Sequence, residues 1–405
     1  FEGDEISFYD FRMLVMRLAN ALSELGIKKG ERVGIHLPNC PPYLIAYYAS
    51  LMLGAIIVNM NPNYSREELI LITQTTGLST LFTLHDAAGS IRELRKAVPV
   101  ERVVLTDPVD YKPDEVSRGA DLATPEGFLK FSKLLAGCSD TRRPRINVDT
   151  DEPAIIQFTG GTTGVSKGAV LLHRNLIANV LQSEAWNNPV MYQIPANEQT
   201  TGVCALPLYH IFAFTVGMML SMRMGGKLVL IPNPRDLPSL IKAFREYRPS
   251  GFAGLNTLFV ALCNDDGFRA LDFSRLKLTM SGGMALTMDA AHRWQEITGV
   301  EIVEGYGMTE TSPFISVNPV NANRLGTIGI AAPSTEVRIL DDAGADLGPE
   351  QPGELCVRGP QVMLGYWQNP AETAKVMSED GWLHTGDIAI VTLEGYLKIV
   401  DRKKD

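Results

Sequence analysis

The sequence predicts an α/β protein with two helix-covered, mostly parallel sheets and a smaller β-rich part at its end. Three observations carry this reading. Helix-patterned and strand-patterned runs alternate over the first third of the chain, and a second alternation extends from Ala154 to about Thr311. Beyond Ser312 helical spacing gives way to short strand patterns between Gly and Pro turns. Alternating elements favour parallel strands, because each crossover is a helix that covers the sheet.

In chain order, Phe8–Leu25 places apolar residues at helical spacing, and Arg32–Leu37 reads as a short strand. Tyr43–Val58 is the most apolar run, yet it falls short of the roughly 20 residues that a membrane-spanning helix needs. Its break at Gly54 separates a buried helix from a strand at Ala55–Asn59. Arg66–Thr75 reads as helical, and Thr80–Leu84 and Val103–Thr106 as strands. Between Pro108 and Asp151 the chain is polar and irregular, with Pro113, Pro125 and Pro144, the pattern of a connector.

The second alternation has strand patterns at Ala154–Phe158, Thr201–Leu206, Lys227–Ile231, Leu276–Met280 and Val300–Glu304, with helices such as Arg174–Ala185 and Thr287–Ile297 between them. Short strands at Glu336–Leu340, Gly353–Arg358, Ile388–Thr392 and Tyr396–Val400 complete the pattern. The expected divisions are therefore 1–150, 151–312 and 313–400, with 401–405 as a charged ending. No repeat of fixed period is present.

Composition narrows the function. The 405 residues are 45% hydrophobic and 20% charged, ordinary for a folded protein and unlike a disordered one. Lys and Arg number 37 against 46 Asp and Glu, a net charge of −9, which argues against a dedicated nucleic-acid binder. Cys40, Cys138, Cys204, Cys263 and Cys356 are odd in number and form no CxxC pair, so neither a disulfide framework nor a zinc ribbon is expected. The six histidines show no metal-binding spacing. Reduced cysteines and the lack of a leader pattern point to the cytoplasm. A start at Phe1 and an end inside a charged cluster at Asp405 read as a fragment.

Three blocks carry chemistry. The first, Thr159-Gly160-Gly161-Thr162-Thr163-Gly164 continuing to Ser166-Lys167-Gly168, follows a strand and precedes a helical pattern. Three glycines and three threonines in six residues cannot fill a core. They suit a loop whose N–H groups and hydroxyls converge on phosphate oxygens, with Lys167 adding charge. A plain flexible linker is the competing reading. The block fails the Walker A pattern, because Gly168 rather than Ser or Thr follows Lys167. Gly164-Val165-Ser166-Lys167-Gly168 matches an esterase elbow only formally, since Ser166 lies well past the strand end at Phe158.

The second block is Glu304-Gly305-Tyr306-Gly307-Met308-Thr309-Glu310, again after a strand. An aromatic ring between glycines can stack on a purine, and Glu310 offers a hard oxygen ligand for magnesium. The third runs from Asp380 through His384 and Asp387 to Arg402 and Lys404. Asp387 can accept two hydrogen bonds from a ribose diol, with Arg402 as a cationic second contact, although charged endings are usually solvated surface.

Taken together and in this order, the three blocks resemble the adenylate-forming, AMP-binding superfamily, and most closely its long-chain fatty acyl-CoA synthetases. Leu206-Pro207-Leu208-Tyr209-His210-Ile211-Phe212 and Ser281-Gly282-Gly283-Met284 extend the resemblance along nearly the whole chain. Gly160-Gly161 stands where many relatives carry Ser-Gly.

The resemblance implies the N-terminal domain of an adenylate-forming enzyme, its small β-rich part barrel-like. It implies ATP-dependent conversion of long-chain fatty acids to acyl-adenylate and then acyl-CoA, with ATP, Mg2+ and coenzyme A as co-substrates and cofactor. Thr159, Gly160, Gly161, Thr162, Thr163, Gly164 and Lys167 would hold the β- and γ-phosphates, and Glu310 the magnesium. Thr309 would reach the α-phosphate, Tyr306 and Gly283 would flank adenine, and Asp387 with Arg402 would grip the ribose. Met284, Glu304, Gly305, Gly307 and Met308 complete the implied nucleotide site. Thr163, His210, Thr309 and Glu310 are the implied catalytic residues.

His210 and Phe214 would border the acyl pocket, Phe214 standing where some relatives carry a gating tryptophan. Ile211–Met224 suits a tunnel lining or an ordinary core helix. Lys404 would begin the hinge to a C-terminal domain of the same polypeptide, expected here to be missing and to leave the chain weakly active. The expected partners are fatty acid, ATP and coenzyme A, with no nucleic acid and with peripheral contact at the inner membrane face. The alternatives are an aryl-CoA ligase, a fatty acyl-AMP ligase, or an idle nucleotide or lipid sensor.

Overall fold

The computed structural model describes residues 1–119, 124–159, 166–195 and 197–403. The chain divides into two compact units, Phe1–His173 and Arg174–Asp405. The first contains strands β1 (Arg32–His36), β2 (Ile56–Asn59), β3 (Thr80–Leu84), β4 (Arg102–Thr106), β5 (Leu129–Lys130), β6 (Pro153–Phe158) and β7 (Gly168–Leu172). Their spatial order is β7-β6-β2-β1-β3-β4-β5, parallel except for the β6–β7 pair.

Strands covered on both faces must be apolar throughout, and β2 and the centre of β6 are buried at every position. Helix Phe8–Glu24 starts at Ser7, whose side chain accepts the Asp10 N–H, and buries Val15, Leu18 and Leu22 at helical spacing. Helix Arg66–Thr76 carries a reciprocal cap between Ser65 and Glu68, and ends at Gly77 with φ +59°.

Two expectations change here. The structure sets the division at His173/Arg174 rather than near residue 150, because β6 pairs in register with β2 (Ile57 opposite Ile155) and takes β7 with it. The stretch Pro108–Asp151 is not merely irregular. Helices Pro113–Gly119 and Phe131–Gly137 and strand β5 lie within it, organised by the buried Phe131 and Leu135. Pro113 sits at a helix start, where a missing N–H costs nothing.

His36, 6% exposed in β1, shares a hydrogen bond of 3.0 Å with the Thr83 hydroxyl on β3. Burial pulls its imidazole down to about 4. The native state therefore favours the neutral ring. Its stabilisation is complete above the unfolded value near 6.5 and is lost as pH falls from there toward 4. Between neutral pH and about pH 5, His36 should remove roughly 2 kcal/mol of stability. Urea unfolding of the wild type and of His36→Asn checks this, since the variant should lose that part of the pH dependence.

The second unit continues with β8 (Thr201–Cys204), β9 (Lys227–Leu230), β10 (Gly251–Gly254), β11 (Leu278–Ser281), β12 (Ile302–Gly307), β13 (Phe314–Val317) and β14 (Ile330–Ala331). These form a seven-stranded sheet in the order β14-β13-β12-β11-β10-β8-β9, antiparallel only at β12–β13 and β13–β14. Its core gathers Phe244, Phe252, Phe259, Phe268 and Trp294. The Trp294 indole donates to the Thr279 hydroxyl at 3.1 Å, so its one polar group is satisfied.

Strands β15 (Glu336–Leu340), β16 (Gly353–Arg358), β17 (Gly365–Tyr366), β18 (Leu383–Val391) and β19 (Leu397–Arg402) follow. Of these, β15-β16-β18-β19 make a four-stranded antiparallel sheet, the expected β-rich part. Helices do not end at Ser312. Helix Pro370–Val376, capped by Asn369 with proline in its first turn, interrupts the strands. Among the described residues, no helix is long and apolar enough to cross a membrane.

Candidate active site

In parallel sheets, ligands bind beyond the carboxyl ends of the strands, and the second unit places its distinctive residues there. Strand β11 runs into Gly282-Gly283-Met284, and β12 runs through Tyr306 into a short turn at Thr309–Thr311. The two strands are in register, with Ser281 opposite Glu304. Gly283 has φ +78° and lies exposed with Met284, so this loop presents backbone rather than side chains at its bend.

Glycines 305 and 307 have a structural cause. A Cβ on Gly307 would fall 1.9 Å from the Pro313 carbonyl oxygen, and one on Gly305 would fall 2.9 Å from Val317. They let β13 fold back against β12 and leave Tyr306 projecting between them. Glu304 is buried, and its Oε1 accepts the Leu286 N–H at 2.9 Å. Burial raises its carboxyl above the usual range, with the Leu286 bond opposing. Glu304 thus shapes the Gly282–Leu286 loop.

The Tyr306 hydroxyl donates to Asp387 Oδ2, and Arg402 Nε donates to Asp387 Oδ1 at 3.2 Å. Burial, then the facing Asp387 carboxylate, push the Tyr306 hydroxyl well above its ordinary range and keep it a donor. Asp387 is 8% exposed, whereas the Arg402 side chain is 61% exposed. An ion pair so open to water adds little stability, which leaves Arg402 available for an incoming partner. The sequence grouped Asp387 with Arg402. That Tyr306 joins them becomes visible only in three dimensions.

Glu310 is 6% exposed. Its Oε1 accepts the Tyr366 hydroxyl at 2.7 Å, and its backbone carbonyl accepts the Met363 N–H at 2.8 Å. Among the described residues no cationic side chain pairs with it. A buried carboxylate oriented by a neutral hydroxyl suits a hard divalent cation, which prefers oxygen ligands. Thr309 is half-exposed beside it, and the Met308 N–H donates to the Thr311 hydroxyl at 3.2 Å. The sequence reading missed Tyr366, although its aromatic-rich setting in Leu364-Gly365-Tyr366-Trp367 was a signal.

His210 heads the helical run Ile211–Met224. Its Nδ1 accepts the Phe212 N–H at 3.3 Å, and its surroundings hold the ring below the usual histidine range by desolvation. The residue itself is exposed, so this desolvation is incomplete. A neutral ring accepting at Nδ1 carries its proton on Nε2, a donor.

Past His210 this run contains a π-helical stretch, Ala213–Met219. Ala213, Val216 and Gly217 of this stretch, and Leu220 just after it, line a cavity of about 110 Å³ with Met191 and Met280. Among the described residues no charged side chain lines it. π-helical turns often accompany function. Phe214 is fully buried and is not among the cavity-lining residues. The sequence offered no way to gather Gly202, Gly217 and Gly251, which lie on separate elements around this cavity.

In the first unit, Thr159 and Lys167 face each other where β6 and β7 meet. Thr159 N–H donates to the Lys167 carbonyl at 2.9 Å, and the Ser166 hydroxyl donates to the Thr159 carbonyl. The Gly-rich block therefore connects two antiparallel strands, not a strand and a helix as expected, because Gly168–Leu172 forms β7. Gly160, Gly161, Thr162, Thr163, Gly164 and Lys404 lie outside the described residues.

The AMP-binding enzyme family matches residues 1–367, and the chain belongs to that family. It is 41% identical over 403 residues to a long-chain-fatty-acid–CoA ligase of Escherichia coli O157:H7, covering 94% of this chain and 69% of that protein. The corresponding ligase of Bacillus subtilis strain 168 is 34% identical, covering 100% of this chain and 73% of its own length. Among solved structures, ATP-bound MatB from Rhodopseudomonas palustris superposes with a TM-score of 0.86 at 26% identity, over 100% of this chain and 75% of that one.

Proposed function

We propose that this chain activates long-chain fatty acids with ATP as a long-chain-fatty-acid–CoA ligase. The supporting observation is the pairing of an uncharged cavity with the Tyr306–Asp387–Arg402 cluster and the buried Glu310 in one unit. Similarity to the E. coli and B. subtilis ligases supports the same reading.

A carboxylate is a poor electrophile, and activation replaces its oxide leaving group by AMP. The carboxylate oxygen attacks the α-phosphorus, the bond to the bridging oxygen breaks, and pyrophosphate departs. Coenzyme A thiolate then attacks the acyl carbon and AMP leaves with the bonding electrons. The first step drives an anion toward a polyanion, so fixed donors and cations govern its rate.

Asp387 and Arg402 hold the ribose, and Tyr306 with Gly283 borders adenine. Thr309 donates toward the α-phosphate, and His210 Nε2–H toward the developing charge on the carboxylate side. Glu310 would hold magnesium, which when bound would neutralise phosphate charge. The family resemblance assigns the β- and γ-phosphates to the Gly-rich block that contains Thr162 and Thr163. Pyrophosphate release measured against long-chain fatty acids and coumarate, with and without coenzyme A, tests the assignment. Long-chain substrates giving acyl-CoA are the expected outcome. Release only with the aryl acid, or acyl-AMP that coenzyme A leaves intact, contradicts it.

The cavity makes a second prediction. A Cβ on Gly217 would sit 3.5 Å from Cys204 Sγ, in ordinary contact, so the position tolerates a side chain that then fills the cavity. At about 0.8 kcal/mol per buried methylene, excluding a few should cost roughly 10–100-fold in kcat/KM for the longest acids. Gly217→Leu should spare short acids, and a chain-length panel reads the difference.

A further inference from the structure

The bulge that carries Asp387 is irregular in a telling way. Across β16 and β18, Glu354 faces Ile388 and Cys356 faces His384, so Leu355 alone opposes Thr385, Gly386 and Asp387. Such a bulge leaves backbone groups without ladder partners, and side chains supply them here. The Thr385 hydroxyl donates to the Leu355 carbonyl at 2.8 Å and accepts the Asp387 N–H at 3.1 Å. Gly386, with φ +75°, gives its carbonyl to the Lys403 N–H at 2.9 Å.

Glu354 completes the set. Its side chain is 12% exposed. Oε1 accepts the Gly386 N–H at 3.2 Å, while Oε2 lies 3.0 Å from Lys403 Nζ and 3.3 Å from His384 Nδ1. Burial alone would raise this carboxyl, but the bonds from Lys403 and His384 outweigh it and hold the group below the usual range. Glu354 therefore stays charged. Glu354, Cys356 and His384 could together offer ligands to a metal, but the Lys403 ammonium already occupies the glutamate oxygen such an ion would need. Lys403 also reaches Asp342 at 3.4 Å, but Asp342 is 97% exposed, which makes Glu354 the anchoring partner.

One carboxylate thus grips the residue before Asp387 and the residue after Arg402, on strands where Asp387 and Arg402 are themselves opposite. We propose that Glu354 is a positioning residue of the nucleotide clamp, fixing the spacing at which Asp387 and Arg402 address one ribose without touching the nucleotide itself. This rests on the proposed role of Asp387 and Arg402.

The test compares ATP with 2′,3′-dideoxy-ATP by calorimetry on the whole chain. Wild type should prefer ATP, and Asp387→Ala should abolish that preference. Glu354→Ala should cut the preference by roughly tenfold while fatty-acid affinity holds. Glu354→Gln, which keeps a carbonyl for Gly386 N–H but loses the negative charge that pairs with Lys403, should fall between. If Glu354→Ala does not fold, Glu354→Gln alone carries the test and must lose at least threefold of the preference. Full ribose preference in the glutamate variants, with Asp387→Ala lacking it, overturns the role of Glu354 and leaves the clamp standing. An equal loss of affinity for ATP, dideoxy-ATP and fatty acid also overturns it, as a merely structural effect. No preference in wild type overturns the clamp itself.

Discussion

Glu310→Ala should slow fatty-acid-dependent pyrophosphate release by on the order of 10²–10³, the scale of losing one preorganised electrostatic group at a developing charge. The side chain is buried and aimed by the Tyr366 hydroxyl at 2.7 Å, so it presents its charge in one direction with no reorganisation. Burial, then the Glu310 charge, raise the Tyr366 hydroxyl well above its ordinary range, so it remains the donor. Glu310→Gln separates charge from shape. The amide carbonyl can still accept from Tyr366, yet the hold on a divalent cation is lost. The Gln variant should therefore resemble Ala in rate and need much more magnesium for half-maximal activity. A rate within about threefold of wild type in both variants would remove Glu310 from the metal-holding role.

Asp387→Ala should weaken ATP binding by roughly 10–100-fold, because it removes a charged acceptor worth about 1.5–3 kcal/mol. It also leaves the half-buried Tyr306 hydroxyl without its acceptor and Arg402 without its counter-charge. Asp387→Asn keeps the volume and one acceptor oxygen, and should lose less. Calorimetric titration with ATP in the absence of fatty acid isolates this effect from the acyl site. Unchanged affinity in Asp387→Ala would place the ribose elsewhere.

Periodicity was enough to place β1, β3 and β12 and the helices at Phe8–Glu24 and Met288–Thr298, since their apolar spacing matches the faces they bury. It did not reveal β7, whose run Gly168–Leu172 is too short to be told from a helix start by pattern alone. The candidate site divides in the same way. Tyr306, Glu310, Asp387 and Arg402 were readable as residue types suited to a nucleotide. The partners that aim them, Tyr366 and Glu354, were not, because hydrogen bonds spanning 56 and 32 residues leave no local pattern. Gly305 and Gly307, expected beside the nucleotide, have a separate reason in their close packing against β13.

A crystal structure with ATP and a non-reactive fatty-acid analogue addresses the account most directly. It should place the ribose hydroxyls on Asp387, the adenine beside Tyr306, the metal on Glu310 and the acyl chain between Gly217 and Met280. A nucleotide bound away from Asp387, or an acyl chain outside that cavity, would contradict it.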